Sequence, residues 1–402
     1  MLELEEALNR ILSVIQPLDP ETVLVEEAPD RVLAEPTFSP LDLPPFDNSA
    51  MDGYAVRALD LVGAGADHPL PVRLIGKAAA GEVFPGALEH GTCVRVFTGS
   101  PLPRGADAIL MQEDTRPDPT EPDRVWCLEA VKPWENVRLQ GEVVKRGAKL
   151  AGPGSRLTAG HVALFAAAGI SQVHVARRPR LSVLATGDEL VESGQPLLPG
   201  QIHESNRVML ATLARRAGAV PLLRPLVPDT MEATRAALEK ALAESDAVVT
   251  SGGVSVGESD FVKAAFERMG GQLDFWKIAI RPGKPFAFGR AAGKLLFGLP
   301  GNPVSALVTF QLLVRPALAA MQGAAETGLP GSNGVLIEPL ANHGDRRHFV
   351  RVVIDAAGRV RSAGTQASHC LSSLANANGL VDVPPRTSLP AGAAVLVLRW
   401  DL

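Results

Sequence analysis

Residues 246–261, "DAVVTSGGVSVGESDF", decide how this chain is read. Ala247 to Val249 form a short branched apolar run suited to a buried strand, while Phe261, Ala264, Ala265 and Met269 carry helical spacing beyond the loop. The unit is strand, glycine turn, helix. Gly252 and Gly253 allow a ligand to approach the backbone closely, and the N-terminus of the following helix presents unpaired N–H groups that suit phosphate. Glu258, Ser259 and Asp260 fit beside a phosphate if a divalent cation bridges acid and phosphate oxygens, as Mg²⁺ does. The plain alternative is a turn with Ser259 or Asp260 as helix cap.

Working outward, apolar strands alternate with helical stretches from Arg180 to about Gly323, which predicts a mostly parallel sheet covered on both faces. In such sheets the ligand crevice lies beyond the carboxyl ends of the strands. "RLSVLATGDELVESG" ends a strand there and brings Gly187, Asp188 and Glu189 to the same edge, or simply turns with solvated acids. Ser205 or Asn206 serves as N-cap of the next helix, with a ligand contact as the second reading. Lys277, Arg281 and Lys284 are spaced through a Pro-Gly turn and suit an oxyanion, unless the turn is merely solvated. Pro300 and Pro303 stiffen the turn in "LFGLPGNPVSALVTF".

The flanks have a different texture. Leu4, Leu8, Ile11, Leu12 and Ile15 lie on one helical face, and a second helix is expected near 158–168. Between them, short β-favouring runs punctuated by Gly and Pro predict a β-rich insertion. The segment "PPFDNSAMDGYAVRA" within it reads as a surface loop or as a functional loop. The expected fold is therefore a multi-domain α/β plus β chain. Residues 1–44 with 141–178 form an N-terminal helical/linker domain, 45–140 an inserted β-rich domain, 179–328 the α/β domain and 329–402 a small C-terminal β domain.

A formal charge of −5 over 402 residues offers no global basic field for nucleic acid. The longest apolar runs fall short of the ~20 residues of a membrane span, and the acidic N-terminus is unlike a signal peptide. A cytoplasmic protein with no membrane partner is expected. Cys93, Cys127 and Cys370 are widely separated, which predicts buried thiols, none of them activated, and no disulfide framework.

Six blocks in order, "PPFDNSAMDGYAVRA", "VFTGSPLPRGADAILMQED", "ATGDELVESG", "TSGGVSVGESDF", "RPGKPFAFG" and "GLPGNPVSA", resemble the molybdopterin molybdenumtransferases, the family of bacterial MoeA and the gephyrin E-domain. The resemblance spans nearly the whole chain. It implies a molybdopterin-binding α/β domain, a homodimer with the active site between subunits, and Mg²⁺-dependent insertion of molybdate into adenylylated molybdopterin with release of AMP. Other proteins of molybdenum cofactor biosynthesis are implied as possible partners. By motif it assigns active-site roles to Asp52, Thr98, Glu189, Asp229, Asp260, Lys277, Arg281 and Lys284, with Glu189, Asp229 and Asp260 near the metal. Substrate contacts fall on Ser205, Asn206, Ser251, Gly252, Gly253, Pro300, Pro303, Arg138, Arg351 and Ser368. Val143 stands where the family often has an acid, and Arg281 where lysine is also common. The competing readings are a related molybdopterin adenylyltransferase and a non-catalytic pterin-binding scaffold. Molybdate and tungstate are not distinguished.

Overall fold

The computed structural model describes residues 1–253 and 261–401; Glu258, Ser259 and Asp260 of the opening stretch lie outside the described residues. Its centre is a six-stranded sheet. In chain order its elements are β1 (Arg180–Ala185), α1 (Asn206–Arg216), β2 (Val220–Leu223), α2 (Met231–Glu244), β3 (Ala247–Ser251), α3 (Phe261–Arg268), β4 (Gln272–Trp276), β5 (Ala287–Ala291) and β6 (Lys294–Leu299). A helix over Pro303–Met321, α4, completes it.

The strand order is β2-β1-β3-β6-β5-β4. The first four run parallel, and β5 and β4 pair antiparallel beyond them. Register aligns Ala185 with Ser251 and Ser251 with Leu299, so the loops after β1, β3 and β6 emerge at one level. The chain steps from β1 out to β2 and then back across β1 to β3. That reversal makes the carboxyl edge between β1 and β3 the topological switch point, where helices leave in opposite directions and a crevice opens.

Alternation along the buried strands divides the core. Val183, Val249 and Phe297 pack on one face with α1 and α4, while Leu184, Val248 and Leu296 pack on the other with α2 and α3. The α4 residues are long and apolar enough to span a bilayer, yet 89% of that window is buried, so the helix serves the core. The N-terminal helix Leu4–Leu12 places Leu4, Ala7 and Ile11 in this same core, against residues of α4. The opening segment of the chain thus supports the α/β unit.

Around this unit, strand Pro20–Leu24 pairs with Gln172–Ala176, joining the two ends of the N-terminal region. The insertion holds a six-stranded sheet that includes Gly53–Val56, Leu70–Ala78 and Thr92–Val96. The C-terminal β unit curls so that Gly379–Val383 pairs with both Arg347–Ile354 and Ala394–Arg399. A short strand from the basic turn, Ile280–Arg281, adds to that sheet beside Arg347 and His348.

Candidate functional site

A cavity of about 650 Å³ opens at the switch point. Thr186, Gly187 and Glu189 come from the loop after β1, Ser251 to Gly253 from the loop after β3, and Gly301 to Pro303 from the turn into α4. Ser205 and Asn206 enter with α1, and Asp229 follows β2. The sheet register therefore brings together Glu189, Asp229, Ser205, Asn206, Ser251, Gly252, Gly253 and Pro303, which are far apart in sequence.

The glycines are dictated by backbone geometry. Gly252 and Gly253 have φ of +89° and +70°. A Cβ on Gly253 would lie 2.5 Å from Val262 Cγ2, and one on Gly252 3.0 Å from the Thr186 carbonyl oxygen. The left-handed turn holds the two loops together as well as leaving the backbone open to a ligand. Asn206 ties the loops further: its amide donates to Ser251 Oγ at 2.8 Å and to the Gly301 carbonyl at 2.6 Å. Among the described residues its Oδ1 has no partner, which leaves a buried acceptor at the cavity wall.

Only Ser205 of the two expected candidates stands at the N-cap of α1. Ser205 occupies the cap position but its side chain makes no capping bond, and Asn206 spends its amide on the loops. The cap comes from Glu204, whose carboxylate accepts from the Arg207 N–H at 2.7 Å and from its guanidinium at 3.1 Å. Glu204 also lines the cavity, as do His369 and Leu371 from the C-terminal unit. Sequence reading missed all three, although "HESN" carried a carboxylate at capping distance from the helix.

Among the described residues the cavity wall contains Glu189, Glu204 and Asp229 and no lysine or arginine. Glu204 is paired to Arg207, and Glu189 and Asp229 bring carboxylates from two different loops. Glu189 folds across Gly187, where an added Cβ would meet its Oε2 at 2.5 Å. The Asp229 N–H donates to Asp188 Oδ1 at 3.0 Å, joining those loops. Hard oxygen donors of this kind suit Mg²⁺, which takes one or two carboxylates and completes its shell with water and phosphate. Among the described residues no three His, Cys, Asp or Glu side chains are grouped as metal ligands, and Asp260 lies outside them.

Other expected site residues are placed elsewhere. Lys277, Arg281 and Lys284 do not line the cavity. Lys277 sits at φ +77° with Nζ 4.0 Å from the Trp276 ring centroid, and Arg281 belongs to the strand that joins the C-terminal sheet. Pro300 is buried behind the turn whose Pro303 faces the cavity. Asp52 and Thr98 form a pair within the inserted domain: the Thr98 N–H and hydroxyl donate to Asp52 Oδ1 at 2.8 and 2.9 Å. Those two bonds hold the Asp52 carboxyl below its usual range. Arg138 pairs with Asn48 on a short ladder, and Val143 is exposed.

Arg351 is fully buried. Its guanidinium donates to Ser373 Oγ and to the carbonyls of Thr365 and Ala367, and burial lowers its pKa. Next along the same segment, the Ser368 carbonyl accepts from the Val304 N–H at 3.1 Å, docking it on the first turn of α4. Arg351 is therefore the post that holds the wall bearing His369 and Leu371.

Cys370 corrects the expectation of three buried, inert thiols. Cys93 and Cys127 are buried, and burial pushes both up to about 12. Cys370 is half-buried, and its thiol is brought down to about 7 by Ser372, then Ser373 and Arg351. The serines that follow it in "SHCLSS" were the available signal.

With this geometry in hand, comparison with known proteins is direct. Residues 2–169 match the MoeA N-terminal region (domain I and II), 182–320 a probable molybdopterin binding domain, and 333–400 the MoeA C-terminal region (domain IV). A Molybdopterin molybdenumtransferase of Haemophilus influenzae is 39% identical, over 99% of this chain and 98% of its own. Molybdopterin molybdenumtransferase 2 of Mycobacterium tuberculosis is 38% identical over the whole of both chains. The crystal structure of the molybdopterin biosynthesis MoeA protein from Pyrococcus horikoshii OT3 superposes with a TM-score of 0.87, at 31% identity and complete coverage of both chains.

Proposed function

The chain belongs to the MoeA family, and on that premise we propose that it is a molybdopterin molybdenumtransferase, inserting molybdate into adenylylated molybdopterin and releasing AMP. The observation that carries this reading is the switch-point cavity, in which glycine loops, an unpartnered Asn206 Oδ1 and two carboxylates converge.

Ser251 and Asn206, held together at 2.8 Å, position the pterin phosphate against the loop after β3. Gly187, Gly252 and Gly253 leave room for it. Asn206 Oδ1 accepts from a substrate N–H or O–H donor, so binding satisfies a polar atom otherwise buried alone. Glu189 and Asp229 would hold Mg²⁺, with Asp260 as the further acid assigned by motif. When bound, Mg²⁺ supplies charge neutralisation at the phosphate oxygens. Lys277, Arg281 and Lys284 receive the molybdate dianion, Lys as a point charge and Arg as a planar fork.

Among the described residues the cavity of a single chain has no lysine or arginine in its wall, and Asp52, Thr98, Arg138 and the basic turn stand outside it. This supports a homodimer in which domains of the partner subunit complete the site. The enzyme acts in the cytoplasm.

The test is AMP release from adenylylated molybdopterin by the purified chain, with and without molybdate and Mg²⁺. Release that requires both is expected. Binding of the pterin without AMP release under every combination overturns the transferase in favour of a scaffold, and ATP-dependent adenylylation of molybdopterin overturns it in favour of an adenylyltransferase.

A further inference from the structure

A second cavity, about 970 Å³, lies at the opposite end of the α/β unit. It is reached from the first along α1 and α4: Asn206 and Pro303 line the switch-point cavity, whereas Arg216 and Arg315 line this one. The 11 residues of α1 separate the two by about 16 Å. Its wall is contributed by five separate parts of the chain, four of which supply five arginines, Arg156, Arg178, Arg215, Arg216 and Arg315. Among the described residues the lining carboxylates are Asp30 and Glu326. Five positive and two negative side chains leave +3, in a chain whose formal charge is −5.

Among the described residues, none of the five guanidiniums has a carboxylate partner within 4.0 Å, whereas Arg31, Arg177, Arg207 and Arg347 elsewhere are all ion-paired. Arg156 donates to the Asp30 carbonyl at 2.7 Å, and Arg315 to the carbonyls of Thr327 and Gly328, which fixes both without neutralising either. Burial, and then the nearness of Arg156 and Arg216, lowers the Arg315 pKa. Arg156 and Arg216 therefore act on Arg315 as like charges. Helix C-terminal polarity accounts for Arg215 and Arg216 in the last turn of α1, but not for Arg156, Arg178 and Arg315, which arrive from other elements.

We propose that this arginine-lined cavity binds a small molecule carrying two or three phosphate groups. Guanidinium forks match phosphate oxygens two at a time, and ligand cavities commonly run up to about 1,000 Å³. The excess of three charges matches such a ligand, and bound phosphate relieves the repulsion at Arg315. The site stands apart from the proposed catalytic cavity and does not depend on what that cavity does.

The test is calorimetric titration of the full-length protein with inorganic tripolyphosphate, in Mg²⁺-free buffer at low ionic strength. One saturable event per chain is expected, weakening as salt is raised. Arg178→Gln and Arg216→Gln should each weaken it about tenfold, and Arg216→Lys should weaken it less. Both positions are exposed, and thermal melting of each variant checks that it is folded. Asn206→Ala, in the other cavity, should leave the event in place. Absence of saturable binding overturns the proposal, as does binding that survives both arginine substitutions or disappears with Asn206→Ala. Repeating the titration with ATP then tells whether a nucleoside is accommodated with the phosphates.

Discussion

The two cavities lie at opposite ends of the same pair of helices and are opposite in charge. Among the described residues the switch-point wall holds three carboxylates and no lysine or arginine, and the far wall holds five arginines and two carboxylates. The difference shows that a glycine-rich strand end does not by itself make an electropositive phosphate site. At the switch point, glycine backbone and the asparagine amide give shape and hydrogen bonds, and the positive charge must arrive with a cation or with another surface. At the far end the charge is built in, while the backbone contributes little.

The largest effect is expected at the switch-point carboxylates. Glu189→Gln and Asp229→Asn should each reduce Mg²⁺-dependent AMP release on the order of 100-fold, with the fold intact by circular dichroism. Wild-type turnover in either variant would break the contrast, because the cavity's negative charge would then have no use. Next comes the wall that His369 and Leu371 contribute. Arg351→Met should lower stability to urea by about 2–3 kcal/mol, since it removes a buried guanidinium and strands its acceptors. If it instead left stability unchanged and weakened molybdate binding alone, Arg351 would be an anion ligand.

Cys370 reports on the same wall. Its alkylation by iodoacetamide should rise with pH through about 7, because the thiolate is the reactive form, while Cys93 and Cys127, pushed up to about 12, stay slow. In Arg351→Met the Cys370 midpoint should move up, as a cation that favours the thiolate is lost.

A smaller loss is expected from Gly253→Ala, about 1–2 kcal/mol from the left-handed backbone alone. The 2.5 Å contact with Val262 adds to it, and adding Val262→Ala should recover that part in a double-mutant cycle. The smallest effect is at the far cavity. Arg216→Gln should raise stability by up to about 0.5 kcal/mol by reducing repulsion, and added salt should give the wild type a similar gain. Loss of stability on that substitution would mean that the arginines are already neutralised.

Much of the α/β unit was legible because its signals are local. The apolar run of β3, the paired glycines after it and the helical spacing beyond lie within one short window, and the same grammar recurs after β1 and before α4. Strand alternation and glycine at positive φ depend only on backbone sterics, so they are written residue by residue. The six ordered blocks likewise carry the family's signature in local sequence.

Which charged side chains share a space was decided by tertiary structure. Lys277, Arg281 and Lys284 follow β4 in sequence, but Arg281 is drawn to the C-terminal sheet and Lys277 to Trp276. Arg351 looks like a surface cation in "HFVRVVID" and is buried because three acceptors from residues 365–373 close around it. The five arginines of the far cavity carry no shared motif and are gathered only by the packing of α1, α4 and the N-terminal region. The sequence by itself determined the elements, the loop chemistry and the family, since these follow from neighbouring residues. Tertiary structure decided where charge accumulates, because electrostatic proximity depends on contacts between residues far apart in sequence.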